Sequence, residues 1–443
     1  MRLSSPILSR DDTVRGLKRG PSTALLLVTL ALLVRLSFMV IAHGIPFGES
    51  TGPYPALFQN ECTAIGASVA NGYGYKSPFL GLLSGDPKTG PSAWVAPVDG
   101  YFVAGVFWLF GVFSRQSFMV IVLVQCVVSA LTCIPILRIG EITVGRRAGI
   151  LAAIVWGVFP WFSQWANTII WDVPQTAFFF NLLFWYALTL ESSRKLKRWL
   201  GFGALWGFAL LTNPALLTLM FVSLLWLAYK NRQSIAPLIK PAALTLIMCG
   251  AVLSPWLIRN RIVFGQFAFI RTNFPFEFWL GNYHGSHGRD WAGRHPTTVV
   301  SERERYNQLG ELAYVHEKGV EARQFLRQYP WEFVQLTGKR FLMFWDGSTM
   351  KYNYPTAPYW LSWSYLPLNL VLLPCLIYAC LRRVHGWELI LAAFIVYPLP
   401  YYITFNQVRY RHPLEPLMLL LMAWTALQII EKMRHRQAEL RSA

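Results

Sequence analysis

Residues 22–42 of this chain read STALLLVTLALLVRLSFMVIA, an apolar run with one charge, Arg35. A helix needs roughly 20 apolar residues to cross the hydrocarbon core of a bilayer, so this run predicts a membrane span. The composition agrees, because the 443 residues are 54% hydrophobic and only 14% charged, whereas a typical soluble domain has about 25% charged residues. The mean hydropathy is +0.37. These values exclude a chain made of ordinary soluble domains.

Nine further apolar blocks have a length close to that of a span. They cover residues 116–137, 148–162, 173–190, 199–211, 215–229, 241–258, 365–381, 389–403 and 413–430. The block at 101–113 is only 13 residues long and is flanked by polar sequence, so we expect it to lie on the membrane surface. The sequence therefore predicts an all-α polytopic membrane protein with about ten transmembrane helices.

The positive charges test this topology. Short cytoplasmic loops collect Lys and Arg, and a cytoplasmic N-terminus places 21 of the 40 basic residues in short inner segments. Counting 101–113 as a span would put most of them outside. The net charge of +18 is thus mainly a topology signal, and we expect membrane lipid and no nucleic acid as a partner.

The same topology divides the chain into five parts. They are a cytoplasmic tail (1–21), a membrane module (22–258) that contains the first outer loop (44–115), an outer loop or cap (259–364), C-terminal transmembrane helices (365–431) and a cytoplasmic tail (432–443). In the cap, Ser301-Glu-Arg-Glu304 has the form of a capping box and opens an amphipathic stretch to Tyr329, interrupted at Gly319. We expect a small helical cap over the membrane.

The first outer loop carries one candidate catalytic carboxylate. An apolar stripe at helical spacing is formed by Phe58, Cys62, Ile65 and Val69. This spacing puts Glu61 at the edge of the stripe and Asn60 on the opposite, wet side. A partly desolvated carboxylate is a better base than a solvated one, but the pattern alone favours an ordinary solvated residue on an amphipathic helix.

A second carboxylate, Asp172, precedes Val173 and Pro174 at the outer start of a predicted span. Asp in that position commonly caps the following helix. Because Asp172 is predicted to lie at the same membrane face as Glu61, a shared site is the sharper hypothesis.

Two arginine clusters lie at predicted outer boundaries, in Pro255-Trp256-Leu-Ile-Arg259-Asn260 and in Arg409-Tyr-Arg411-His412. Such arginines often only extend toward water, but the positive-inside rule does not require them here. A guanidinium group suits phosphate oxygens, so we predict binding of a lipid-linked phosphate.

The second outer loop contains His284, His287, Asp290 and His295. Their spacing matches no closed metal-ligand pattern, so solvated histidines are favoured and no metal site is predicted. A divalent cation is left open as a cofactor. No phosphate-binding loop or dinucleotide fingerprint is present in the sequence.

Several short motifs follow one another in a specific order. They are Gly90-Pro-Ser-Ala-Trp94-Val-Ala-Pro97, Gly145-Arg-Arg147, Asp172, Gly207-Phe-Ala-Leu-Leu-Thr-Asn213-Pro214, Pro255 to Asn260, Gly281-Asn282 and Tyr410 to Pro416. In this order they resemble the GT-C type integral-membrane glycosyltransferases. Within that type they are similar to the protein O-mannosyltransferases and lipid A aminoarabinose transferases, a glycosyltransferase family 39-like group.

The resemblance implies two interfacial helices in the first outer loop and a polyprenyl-phosphate-sugar-dependent hexosyl or pentosyl transferase. The sugar would pass with inversion to a hydroxyl of a lipid, glycan or protein at the outer face. Glu61 would be the base, Asp172 would orient the acceptor or Glu61, and substrate would be bound by Trp256, Arg259, Asn260, Arg409 and Arg411. Asn60-Glu61 stands here where the family usually has Asp-Glu.

Two other functions remain open at this stage. Ten spans also suit a secondary transporter, although we find none of the internal duplication that such proteins often show. Asn60 is compatible with a non-catalytic scaffold of envelope-glycan assembly. The bacterial inner membrane is the expected location.

Overall fold

A computed structural model describes residues 21–44, 60–79, 90–288, 293–346 and 365–442. The secondary structure of this part is helical, apart from an isolated antiparallel bridge between Lys76 and Pro91. The predicted all-α class is therefore confirmed. The predictions that concern Phe58, Asp290 and the N-terminal tail up to residue 20 lie outside the described residues.

The α-helices, numbered along the described chain, have the following bounds. They are α1 (Pro21–His43), α2 (Glu61–Ala70), α3 (Pro97–Phe110), α4 (Arg115–Leu131), α5 (Cys133–Thr143), α6 (Arg146–Val158), α7 (Pro160–Thr168), α8 (Val173–Leu190), α9 (Leu196–Thr212), α10 (Leu217–Lys230), α11 (Ala236–Phe264), α12 (Phe274–Gly281), α13 (Val300–Leu309), α14 (Glu311–Gln328), α15 (Pro330–Asp346), α16 (Tyr365–Leu381), α17 (Trp387–Val396), α18 (Leu399–Ile403) and α19 (Glu415–Ser442). Short 3₁₀ helices precede α10 (Pro214–Leu216) and α19 (Val408–Leu414).

Every predicted span overlaps one or more of these helices. Five helical segments are long and apolar enough to cross a membrane, or six if α6 and α7, which bend by 49° at Phe159, form one span. Shorter apolar helices cover residues 97–110, 214–230, 368–381 and 387–403. The count of ten spans stays a prediction. Of the block at 101–113, residues 101–110 belong to the short helix α3, which packs against α2 and α4.

Close helix packing depends on small residues at two crossings. A Cβ atom at Gly140 on α5 would lie 2.5 Å from the Cα atom of Gly149 on α6, and one at Gly207 on α9 would lie 2.6 Å from the Cβ atom of Val252 on α11. Small residues let helix backbones approach closely where van der Waals packing drives association. These glycines therefore set the spacing of the two pairs.

Arg35, the lone charge in the first apolar run, is fully buried and joins three helices. Its guanidinium donates to Ser129 Oγ on α4 at 2.9 Å and to the backbone oxygens of Gly157 and Trp156 at 3.1 and 3.2 Å. The last carbonyls of a helix lack intrahelical donors. Arg35 supplies those donors at the end of α6, where the chain bends.

We expect Arg35→Met to destabilise the protein by about 2–4 kcal/mol, because several charge-assisted hydrogen bonds are lost inside the bundle. The thermal midpoint in detergent measures the loss. Arg138→Gln, which removes a more exposed pair with Glu141, is the control and should change stability by less than about 1 kcal/mol. Equal midpoints for the two variants would contradict the structural role of Arg35.

Helices α12 to α15 lie in the predicted outer cap, and Glu311 on α14 links them to the predicted first outer loop. The buried carboxylate accepts hydrogen bonds from Ser92 Oγ (2.6 Å), Ala93 N (2.7 Å), Thr272 Oγ1 (2.6 Å) and Tyr306 OH (2.8 Å). The region is helical, and its place as a cap over the membrane stays a prediction. The capping box is wrong, since α13 begins at Val300 without a side-chain cap and the break lies at Gly310 with φ of 75°, not at Gly319.

Candidate active site

Asp172 lies just before α8, where its side chain is 9% exposed. It holds the N-cap position, yet the side chain makes no capping bond, and only its backbone oxygen accepts from Thr176 N, at 2.8 Å. The helix-cap interpretation is therefore wrong. Burial raises the pKa of the Asp172 carboxyl to about 6, while the positive charges of Arg271 and Arg409 and the nearby Asn213 amide act in the opposite direction.

Asp99 on α3 borders the same space and is 5% exposed. One carboxylate oxygen accepts from Gln175 Nε2 at 3.2 Å, and the other has no hydrogen-bond partner among the described residues. Burial raises the pKa of Asp99 well above its usual value, and the negative charge of Asp172 raises it further. The two aspartates thus form an electrostatically linked pair.

A cavity separates the first outer loop from the start of α8. Its walls are formed by Cys62, Val95, Ala96, Asp99, Trp171, Asp172, Thr212 and Arg271. Arg271 Nε donates to Trp94 O at 2.9 Å, which holds its guanidinium between the loop and the cap. Its positive charge opposes the rise in pKa of both aspartates.

A second arginine and another carboxylate complete the cluster. The Arg409 guanidinium carbon lies 5.4 Å from the ring centroid of Trp171, beside Asp172. Glu277 on α12 accepts from Asn273 Nδ2 at 2.8 Å, and burial raises its pKa to about 7 while Arg271 and Arg409 oppose the rise. Both arginines therefore act on the ionisation of Glu277 as well as on that of Asp172.

Glu61 is the first residue of α2 and reaches the cap. Its Oε1 accepts from Thr297 Oγ1 at 3.0 Å and lies 3.6 Å from His295 Nε2, and the side chain is 13% exposed. Burial lowers the pKa of His295, which favours the neutral imidazole. Glu61 is thus partly desolvated through contacts with the cap, so the solvated residue that the pattern alone favours is wrong.

Asn60 does not lie on a wet face. Its side-chain oxygen accepts from Thr63 N at 3.1 Å and caps α2, and its amide donates to the backbone oxygen of Ile170 at 2.9 Å. Ile170 is two residues before Asp172. Asn60 therefore ties the helix that starts with Glu61 to the turn that carries Asp172, and the two predicted carboxylates do lie in one region.

Two histidines of the second outer loop, His284 and His295, lie in different environments. His284 Nδ1 lies 2.9 Å from Glu332 Oε2 on an exposed surface, whereas His295 is buried beside Glu61. Among the described residues, no group of three or more His, Cys, Asp and Glu side chains could hold a metal ion.

The predicted binding residues of α11 contact backbone atoms. Trp256 Nε1 donates to Ile270 O at 2.9 Å, and Asn260 Nδ2 donates to Phe269 O at 2.8 Å. Arg259 donates to the backbone oxygens of Ser92 at 2.7 Å and Tyr75 at 2.9 Å. These three side chains hold the outer loop and the turn that presents Arg271.

The two predicted arginines near α19 separate. Arg409 borders the carboxylate cluster, whereas Arg411 is buried in the bundle, 3.4 Å from Glu415 Oε1 and 3.3 Å from Trp345 O. His412 Nδ1 lies 2.7 Å from the other oxygen of Glu415. Arg411 thus stabilises the segment from which Arg409 projects.

Three charged residues of the cluster were not predicted from the sequence: Asp99, Arg271 and Glu277. Asp99 could have been identified from the sequence, because it is the one carboxylate in the first turn of the otherwise apolar helix α3. An unpaired buried charge is costly, so such a residue often has a function. Arg271 and Glu277 lie within the long outer loop, where only the tertiary structure shows their position.

Comparisons with known proteins agree with this architecture. Residues 94–258 match the family model described as dolichyl-phosphate-mannose-protein mannosyltransferase. No curated protein matches the sequence. The matched segment contains both Asp99 and Asp172.

Solved structures of an archaeal oligosaccharyltransferase from Archaeoglobus fulgidus share the fold. One of them is the complex of AglB with an inhibitory peptide and a dolichol-phosphate. It matches our chain with a TM-score of 0.56 at 13% identity, over 95% of our chain and 52% of the AglB chain. The apo form gives 0.55 at 12% identity, over 95% and 52%. The complex with Zn and sulfate gives 0.53 at 13% identity, over 93% and 50%. The chain therefore spans about half the length of the solved structures it matches.

The described part of the chain thus has the fold of AglB, a GT-C type glycosyltransferase. Residues 94–258 are similar to the dolichyl-phosphate-mannose-protein mannosyltransferase family. The resemblance seen in the sequence is thereby confirmed.

Proposed function

We propose that this protein is an inverting glycosyltransferase that moves a sugar from a polyprenyl-phosphate donor to an acceptor hydroxyl at the outer face of the membrane. One observation supports the proposal: four carboxylates and two arginines lie together between the loops that are predicted to be outside, in a fold shared with AglB. A carboxylate can accept the acceptor proton, and guanidinium groups can stabilise the departing phosphate. AglB, which has a similar fold, was solved in complex with a dolichol-phosphate.

Glu61 is the proposed base. It takes the proton of the acceptor hydroxyl as that oxygen forms a bond to the anomeric carbon. The bond from the anomeric carbon to the phosphate oxygen breaks, and its electron pair stays on the phosphate. General base catalysis of this kind contributes about 10²- to 10⁴-fold. Thr297 holds Glu61 through its hydroxyl.

The remaining charged groups divide into substrate contacts and supports. Asp172 orients the acceptor, and Arg271 with Arg409 receives the negative charge that develops on the phosphate. Trp256, Arg259 and Asn260 support substrate binding by holding the loop and the Arg271 turn. Arg411 supports the segment that carries Arg409. We propose the bacterial inner membrane as the location, with both termini cytoplasmic.

Turnover of a labelled polyprenyl-phosphate sugar by the purified full chain tests this function, with lipid, glycan and protein acceptors supplied in parallel. We expect a product of inverted anomeric configuration and release of polyprenyl phosphate. Movement of intact sugar across proteoliposomes without any transfer would contradict the proposal and favour a transporter. Tight binding of the donor with no turnover on any acceptor would favour a scaffold.

We expect the transfer rate to rise as the pH is raised, with a midpoint at an apparent pKa close to 6. Burial raises the pKa of Asp172 to about 6, so the carboxylate is lost by protonation as the pH falls through that value. The measurement is kcat/KM against pH in the full-length protein. A rate that stays flat down to about pH 5, near the ordinary range of carboxyl groups, would show that ionised Asp172 is not required.

A further inference from the structure

We propose that Asp99 is a further substrate-binding residue, which donates a hydrogen bond from its protonated carboxyl to a sugar oxygen while ionised Asp172, which also orients the acceptor, accepts one from a sugar hydroxyl. This inference rests on the proposed glycosyl transfer and specifies how the site holds its sugar. A hydroxyl both donates and accepts hydrogen bonds, so an acid next to a carboxylate matches it better than two carboxylates would.

The geometry provides an open hydrogen-bonding position. Asp99 lines the cavity together with Asp172 and Arg271, and Gln175 contacts only one of its oxygens. The other oxygen is buried and has no partner among the described residues. A buried polar atom without a partner is unfavourable. The cavity has a volume of about 10 Å³, which is room for one water-sized group, so a single sugar oxygen that reaches into it would supply the missing bond.

The charges around Asp99 favour its neutral form. Titratable groups face it from every side of the cavity: Cys62 on α2, Tyr75 in the turn after α2, Asp172 before α8 and Arg271 before α12. The neighbouring helices α4 and α9 contribute Gln125 and Thr212 to the cavity walls, and neither titrates.

Asp99 and Asp172 do not hold their shared proton equally. Arg271 and Arg409 both oppose the rise in pKa of Asp172, whereas Asp99 feels Arg271 but also the negative charge of Asp172. Two buried carboxyl groups in one site do not both ionise easily. Near neutral pH the proton therefore resides on Asp99, and Asp172 carries the charge.

Asp99→Asn and Asp99→Leu separate a neutral donor from an ionised group. Asn keeps a hydrogen-bond donor without a charge, so we expect it to retain more than about one fifth of kcat/KM, whereas Leu loses the bond and should lower kcat/KM by about 10- to 100-fold. The wild type should also lose activity at alkaline pH as Asp99 ionises, and Asp99→Asn should lack this decline. An Asn variant as impaired as Leu, or an alkaline decline that persists in Asn, would overturn the proposal.

Infrared spectroscopy tests the protonation of Asp99 without any turnover. At about pH 8, where ordinary carboxyl groups are ionised, the spectrum of wild type minus Asp99→Asn should show the C=O stretch of a protonated carboxylic acid. Glu141→Gln, which alters a carboxylate paired with Arg138 and Arg146, is the control and should give no such difference. A difference spectrum without that band overturns the inference about Asp99, while failure of the wild type to transfer any sugar would instead contradict the proposed function.

Discussion

Glu61→Gln will lower the rate of sugar transfer by about 10²- to 10⁴-fold, because the amide cannot take the proton of the acceptor hydroxyl. Gln has nearly the same shape as Glu and its carbonyl can still accept the hydrogen bond from Thr297. The fold should therefore persist. Initial rates at saturating donor, together with size-exclusion profiles and thermal midpoints, separate a loss of chemistry from a loss of structure.

Glu332→Gln is the matched control for Glu61. Glu332 is also a cap-side carboxylate with two partners, His284 and the backbone amide of Gly285, but it lies at the surface away from the cavity. We expect this variant to transfer sugar at the wild-type rate. If Glu61→Gln were as active as Glu332→Gln, Glu61 would not be the base, and Asp172 would be the next carboxylate to test.

The membrane helices could be predicted well because they depend on local composition. A run such as residues 22–42 must be helical in lipid, since every backbone polar group has to find a partner within the chain. The same logic identified the short block that became α3. It could not show that Arg35 would be satisfied inside the bundle, because its acceptors lie on α4 and α6.

Local sequence rules failed where a polar residue had a tertiary partner. Asp172 stands at an N-cap position, but its side chain makes no capping bond and borders the cavity. The pattern at Ser301 gave way to a helix that starts at Val300. In both cases the sequence motif allows a side-chain hydrogen bond that caps the helix. Packing of the loops determines whether that bond forms.

The site itself could be predicted only in part. Glu61, Asp172 and Arg409 stood out as charges at predicted outer boundaries, and the structure brings them into one region. Arg411 had the same signal, yet the 3₁₀ helix Val408–Leu414 directs it into the bundle toward Glu415. Which of two arginines faces a cavity depends on a backbone turn that spacing alone does not define.

Arg271→Met will lower kcat for sugar transfer by about 10²- to 10³-fold, the cost of removing one preorganised group that stabilises developing charge. Arg271 is fixed by its bond to Trp94 O, and its charge opposes the rise in pKa of Asp172. Removing that charge raises the pKa of Asp172, so the acid side of the pH profile should move to higher pH. Arg271→Lys keeps the charge and should restore the wild-type profile with only part of the rate, because an ammonium lacks the planar donor fork. The control is Arg305→Gln, at an exposed ion pair of the cap, which should change neither kcat nor the pH profile. If Arg271→Met had the wild-type rate and pH profile, Arg271 would have no role in the mechanism.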